Sequence, residues 1–156
     1  MDVSRIPERN EIPVEYTWDL TDIFPDDEAW ALERAALLEM PAKIEAFAGT
    51  LGERPGRLLD WLKLSDELGV RIEKLMGYAN CKGDQDTADS FYQDMRSKAI
   101  ACYVAIAGAS AFATPEILSI PDETLDRLLD AAVRTVSDRC RLELTIFKKD
   151  HFGLGE

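Results

Sequence analysis

Pro55 to Lys82 reads PGRLLDWLKLSDELGVRIEKLMGYANCK. Leu58, Leu62, Leu68, Ile72, Leu75, Met76 and Ala79 recur at helical spacing, with Trp61 beside them and Ser65 and Gly69 on the same stripe. Steps of three and four residues are the period of an amphipathic helix. At 1.5 Å per residue this helix would run about 40 Å. The small residues on its stripe predict close approach by a neighbouring helix. A polar turn, Gly83-Asp84-Gln85-Asp86, follows. A second helical pattern then covers about Thr87 to Ala113, with Phe91, Met95, Ala99, Cys102, Ile106 and Ala109 on one face. Two long helices joined by a short connection pack as antiparallel neighbours. The expected fold class is therefore all-α: an antiparallel helical hairpin or bundle of about four helices with an extended aromatic N-terminal lead-in.

The far half of the 87–113 pattern is apolar on nearly every side, and Ala107-Gly-Ala-Ser-Ala111 suits tight packing. A helix of that kind is surrounded by protein. The chain offers too few other elements to cover it, so sequence from elsewhere or a partner is expected there. Upstream, Asp27 to Phe47 predicts a helix with Trp30, Leu37, Leu38, Ile44 and Phe47 on one face, kinked at Pro41 and stopped near Gly49. Downstream, Thr114-Pro115 predicts the end of one helix and Pro121 the first turn of another, reaching about Val133 with Leu125, Leu128, Leu129 and Ala132 apolar. Acid-before-base pairs four residues apart, among them Glu39/Lys43, Glu67/Arg71, Asp94/Lys98, Glu123/Arg127 and Asp130/Arg134, favour helices over strands. The expected organisation is a lead-in over residues 1–25, a helical domain over 26–133 and a divergent tail over 134–156.

Glu11 to Trp30 reads EIPVEYTWDLTDIFPDDEAW. Pro13 and Pro25 hold their preceding residues extended. Tyr16, Trp18, Leu20, Ile23 and Phe24 are too many large apolar groups for a free tail, so this segment should lie across the helices. Asp26 or Asp27 is placed to cap the helix that follows, with Glu28 in its first turn.

The 156 residues amount to one domain or part of one, long enough to bury a real core. Hydrophobic content of 46% and charged content of 31% describe a soluble globular chain rather than a disordered one. Thirty acids against 18 bases give a net charge of −12, which argues against nucleic acid or an anionic membrane as partner. Cys81, Cys102 and Cys140 form no CxxC pair and read as reduced thiols. The polar start lacks the apolar core of a signal peptide, and a cytoplasmic location is expected. The longest apolar run, Ala99 to Ala113, is short for a membrane span.

Candidate chemistry is sparse. His151 is the single histidine, so the two-histidine HExxH site of a zinc peptidase cannot be assembled. No GxSxG, phosphate loop or GxGxxG is present. Asp26-Asp27-Glu28 and Asp84-x-Asp86 are explained by capping and turns more simply than by a metal. Trp18, Trp30, Trp61, Tyr78, Phe91, Tyr92 and Tyr103 could line a peptide groove, but aromatic residues at helical spacing are more often core. We assign no catalytic, cofactor-binding or metal-ligating residue.

The segment Arg9 to Trp30, with its Glu-Tyr-Thr-Trp-Asp-Leu-Thr-Asp-Ile-Phe-Pro centre, resembles the N-terminal entry of the oligoendopeptidase F group of zinc metallopeptidases. Phe47-Ala-Gly-Thr-Leu-Gly52, the helix carrying Leu68, Leu75, Tyr78 and Ala79, Asp84-Gln-Asp-Thr87 and Phe112-Ala-Thr-Pro-Glu-Ile-Leu-Ser-Ile-Pro121 extend the likeness, in order, to about residue 130. It fades after Ala131, where Cys140-Arg141 and His151-x-x-Leu154 are loose echoes at altered spacing. The resemblance implies that zinc is held in the intact enzyme by an HExxH helix far downstream. It further implies that these helices form one wall of a channel for short peptides, and that this chain alone is non-catalytic. On this reading the chain is an N-terminal piece, from a truncated gene product, a frameshift or a deliberate cut. Its partner is then the missing C-terminal catalytic region. The alternative is a stand-alone interaction module that self-associates through the apolar 87–113 helix.

Overall fold

The computed structural model describes residues 11–133. The expectations for residues 1–10, the 134–156 tail, Cys140 and His151 lie outside them. Every regular element among the described residues is helical, so the fold is all-α. Two short 3-10 turns, Val14–Tyr16 and Leu20–Asp22, lead into six α-helices: α1 (Asp27–Leu38), α2 (Met40–Glu45), α3 (Pro55–Gln85), α4 (Ser90–Ser110), α5 (Ala113–Ser119) and α6 (Asp122–Val133). The chain divides into two compact units. Among the described residues, the first comprises residues 11–39 together with Gly69–Ile106, and the second comprises Met40–Leu68 and residues 107–133.

In the first unit, Trp30 and Leu37 of α1, Ile72, Leu75, Tyr78 and Ala79 of α3, and Met95, Ala99, Cys102 and Ile106 of α4 are buried. The α3 and α4 sets follow the three-and-four spacing seen in the sequence. Cys102 is fully buried in this core, and that burial pushes its thiol up. The indole N–H of Trp30 donates to the Leu75 carbonyl at 2.9 Å, so burying that ring leaves no orphaned donor. Asp26 caps α1 by accepting from the Ala29 N–H at 2.7 Å. Arg71 of α3 pairs with Glu33 of α1 at 2.6 Å. Asp94 and Lys98 form their expected surface pair at 2.5 Å.

Helix α3 runs through Gly83 and Asp84 to Gln85, three residues past the expected stop at Lys82. Arg96 of α4 accounts for the extension. It donates to the Asn80 carbonyl at 2.9 Å and to Asp84 Oδ1 at 2.6 Å, putting a cation on the last turn of α3. Gly83 makes room for it, since a Cβ there would lie 2.9 Å from Arg96 Nη2. The turn falls instead at residues 86–89, where Asp86 accepts from the Ala88 N–H and Asp89 from the Phe91 N–H.

In the second unit, Met40, Ile44, Leu51, Leu58, Leu59, Trp61, Leu68, Ala113, Ile117, Ile120, Leu125 and Leu128 are buried. Trp61 sits between Phe47 and Phe112, with ring centroids 5.7 Å and 5.2 Å away. The Arg57 guanidinium lies 3.9 Å over the Phe47 ring and donates to Thr50 Oγ1 at 2.8 Å. Glu116 of α5 accepts from the Gly49 N–H at 2.6 Å and the Leu51 N–H at 2.7 Å, one on each carboxylate oxygen. Gly49 turns the chain with φ at +77°, a conformation glycine adopts without steric cost.

Two further boundaries and one packing expectation differ from the sequence reading. The single kinked helix over 27–47 is two helices, because Pro41 has no N–H for the Leu37 carbonyl and its ring clashes with it. Pro115 lies in the first turn of α5, where the missing N–H has no helical partner to lose. Gly69 and Gly108 face open space, so the described residues show no neighbouring helix approaching closely at either position. By length and composition alone, the helical run Ser90–Ser119 is apolar enough to cross a membrane, and 22% of its 18-residue apolar window is buried.

Candidate functional site

The lead-in meets the C-terminal half of α3 within the first unit. Leu20 is buried, and the Phe24 ring stands edge-on to Tyr78 at 5.5 Å. Asp19 accepts from both the hydroxyl and the N–H of Thr21, at 2.7 and 3.0 Å, which holds its carboxyl below the usual range. These contacts fix the C-terminal half of the lead-in. Its other large side chains, Val14, Tyr16 and Trp18, are exposed, Trp18 by 82%.

Trp18 overhangs two adjoining clefts. One, of about 340 Å³, is lined by Ile12, Thr17, Trp18, Leu20, Cys81, Asp84 and Gln85. The other, of about 360 Å³, is bordered by Trp18, Phe24, Asp27, Tyr78, Lys82 and Gln85. Tyr78, Lys82 and Gln85 share one face of α3 because they are four and three residues apart. With Asp26 occupied in capping, Asp27 is left to face this cleft. Its Oδ1 accepts from the Tyr78 hydroxyl at 2.7 Å and its Oδ2 from the Tyr92 hydroxyl at 3.2 Å. Lys82 Nζ lies 3.4 Å from Asp27 and over both tyrosine rings, 5.3 and 5.2 Å from their centroids.

Burial, then the bond to Asp27, pushes the Tyr78 hydroxyl up to about 12. Burial opposes the charge on Lys82, but Tyr78, Asp27 and Tyr92 outweigh it and raise its pKa. Tyr78 is therefore a donor near neutral pH, and Lys82 a fixed ammonium. Neither is poised for proton transfer or nucleophilic attack. Together these groups can hold and position a partner by hydrogen bonds and charge. Among the described residues no three His, Cys, Asp or Glu side chains gather as a metal-binding group.

The aromatic residues proposed for a groove separate by role. Trp30, Trp61 and Tyr78 are buried, whereas Trp18, Phe91 and Tyr103 are exposed. Trp18 and Tyr78 alone among the seven line the clefts described above. From sequence Asp27 reads as a cap candidate and Gln85 as a turn residue, and neither they nor Lys82 are assigned to a cleft. The signal was present: Tyr78 and Lys82 stand one helical turn apart, and Asp26-Asp27 supplies one acid more than a cap requires.

The described residues form a helical scaffold with two clefts beside Trp18. No protein-family model matches the chain. Curated relatives do match it. It is 38% identical to the oligopeptidase PepF of Bacillus subtilis over 126 residues, 81% of this chain and 19% of that protein. It is 35% identical to the chromosomal oligoendopeptidase F of Lactococcus lactis subsp. cremoris over 148 residues, 94% of this chain and 25% of that protein. The group B oligopeptidase PepB of Streptococcus agalactiae is 33% identical over 121 residues, 78% of this chain and 20% of that protein. The crystal structure of a Chlamydophila abortus protein assigned as a peptidase superposes with a TM-score of 0.70 at 16% identity, over 90% of this chain and 27% of that one. That likeness concerns the fold. The chain is an oligoendopeptidase F homologue, and it spans a quarter or less of the curated relatives it matches.

Proposed function

We propose that this chain is the N-terminal helical region of a cytoplasmic zinc oligoendopeptidase. It forms one wall of the channel that admits short peptides and is non-catalytic by itself. The carrying observation is the asymmetry of the matches: the Bacillus relative aligns with 81% of this chain, which supplies only 19% of that protein. The single histidine in the sequence excludes an HExxH pair from these residues, so zinc and the water it activates belong to the remainder. Proteolysis is then a property of the assembled enzyme. The cleft beneath Trp18 is a non-catalytic peptide contact.

The test compares the purified chain with a full-length chimera in which it replaces the matching stretch of the Bacillus relative. The chimera should cleave a short peptide and lose that activity to a chelator. The chain alone should not cleave, with or without added zinc. Chelator-sensitive cleavage by the pure chain would overturn the reading.

A second reading is a stand-alone module that self-associates through α4. The exposed Ile100, Tyr103 and Val104 are the surface it would use. Concentration-dependent dimerisation in light scattering would support it, and a monomer across the accessible range would count against it.

A further inference from the structure

Within the first unit, α4 has two unlike faces. Met95, Ala99, Cys102 and Ile106 are buried. Around the helix, Ile100, Tyr103 and Val104 are 46%, 51% and 59% exposed. Their spacing of three and four places them side by side as one apolar patch. A contiguous patch of large apolar residues on a regular helix is a surface that a partner's side chains can cover.

Three occupants are chemically possible, and charge together with chain length separates them. A lipid surface would meet a chain of net charge −12, and biological membranes are themselves commonly anionic. A second copy would bring another −12 to the contact, and like charge opposes association. The remaining occupant is the further polypeptide that its homologues carry, since they have four to five times the matched length by the 25% and 19% coverage. We infer that the Ile100–Tyr103–Val104 face of α4 is the seam on which the rest of the oligoendopeptidase docks. The inference rests on the proposed function and adds to it which face is joined.

The experiment places a single cysteine at the seam, Val104→Cys, and another at an exposed position of α3, Glu73→Cys. Each is made in the isolated chain and in the full-length chimera. Labelling by a maleimide is followed by peptide mapping, which separates the new thiols from the three native ones. In the isolated chain both should label readily. In the chimera, labelling at position 104 should slow by about tenfold or more, while position 73 stays within about twofold. Equal labelling at 104 in both settings, in a chimera that cleaves peptide, would sink the seam and leave the proposed function standing. A chimera that neither cleaves peptide nor protects position 104 would remove both. Protection at 104 in the isolated chain, accompanied by a dimer mass or appearing only with phosphatidylserine vesicles, would also overturn the inference. It would give the face to a second copy or to a membrane.

Discussion

Tyr78 concentrates the electrostatics of the first unit. Its hydroxyl points at Asp27, and burial together with that bond raises its pKa to about 12 from 10.0. A raised folded-state pKa means that the contribution is fully present below about pH 10. It is lost as the pH climbs through about 12. Lys82 is displaced in the same direction, so its contribution fades on the alkaline side too. Stability measured by urea unfolding should therefore fall by about 2–3 kcal/mol across that window from Tyr78. The Tyr78→Phe variant should lose this part of the slope while costing about 1 kcal/mol at neutral pH. An unchanged alkaline slope in the variant would show that Tyr78 is not the titrating group. Asp27→Ala removes the acceptor for two phenols and the partner of Lys82 together. It should cost more than Tyr78→Phe, about 2–3 kcal/mol by the same unfolding measurement.

At the scale of elements, the second unit hangs its α2–α3 connection on one carboxylate. Glu116 takes two backbone N–H groups at 2.6 and 2.7 Å, which are charge-assisted bonds. Glu116→Gln keeps the shape, replaces one acceptor oxygen with a donor and removes the charge. Its expected cost is about 1–3 kcal/mol, read as a lower denaturant midpoint at unchanged m. Gly49→Ala should cost about 1–2 kcal/mol for backbone reasons alone, since φ is +77° there and no atom crowds the added methyl. If the alanine variant is as stable as the parent, the left-handed turn is not maintained in solution. These elements also show what the sequence could disclose. Ile72, Leu75 and Ala79, then Met95, Ala99, Cys102 and Ile106, lie buried on the periodic faces because burial follows a local repeat. The break before Met40 and the run of α3 to Gln85 were less legible. The first depends on how far a proline disrupts a helix, and the second on Arg96, sixteen residues from the Asn80 carbonyl it reaches. The cleft was harder still, because Asp27 is joined to Tyr92 across 65 positions of sequence.

For the molecule as a whole, the dominant long-range term is the excess of acid. Thirty carboxylates against 18 bases leave −12, and that excess repels itself in the folded state. Salt acts on two opposing contributions. It screens this repulsion, which raises stability, and it weakens surface ion pairs such as Arg96–Asp84 and Lys98–Asp94, which lowers it. Such pairs are each worth about 0–1 kcal/mol because at least one partner is well exposed. The repulsion is summed over the whole surface and acts across distances near the Debye length, about 10 Å at 0.1 M salt. Screening should therefore win. The thermal midpoint of the isolated chain is expected to rise by a few degrees between about 0.02 M and 0.2 M sodium chloride. Apolar α4 reinforces the trend with an excluded salt such as sulfate, which strengthens burial of exposed hydrocarbon as well as screening charge. Scanning calorimetry at the two ionic strengths decides the matter. A midpoint that falls with sodium chloride would mean that the ion pairs, and not the net charge, govern the electrostatic balance of the fold.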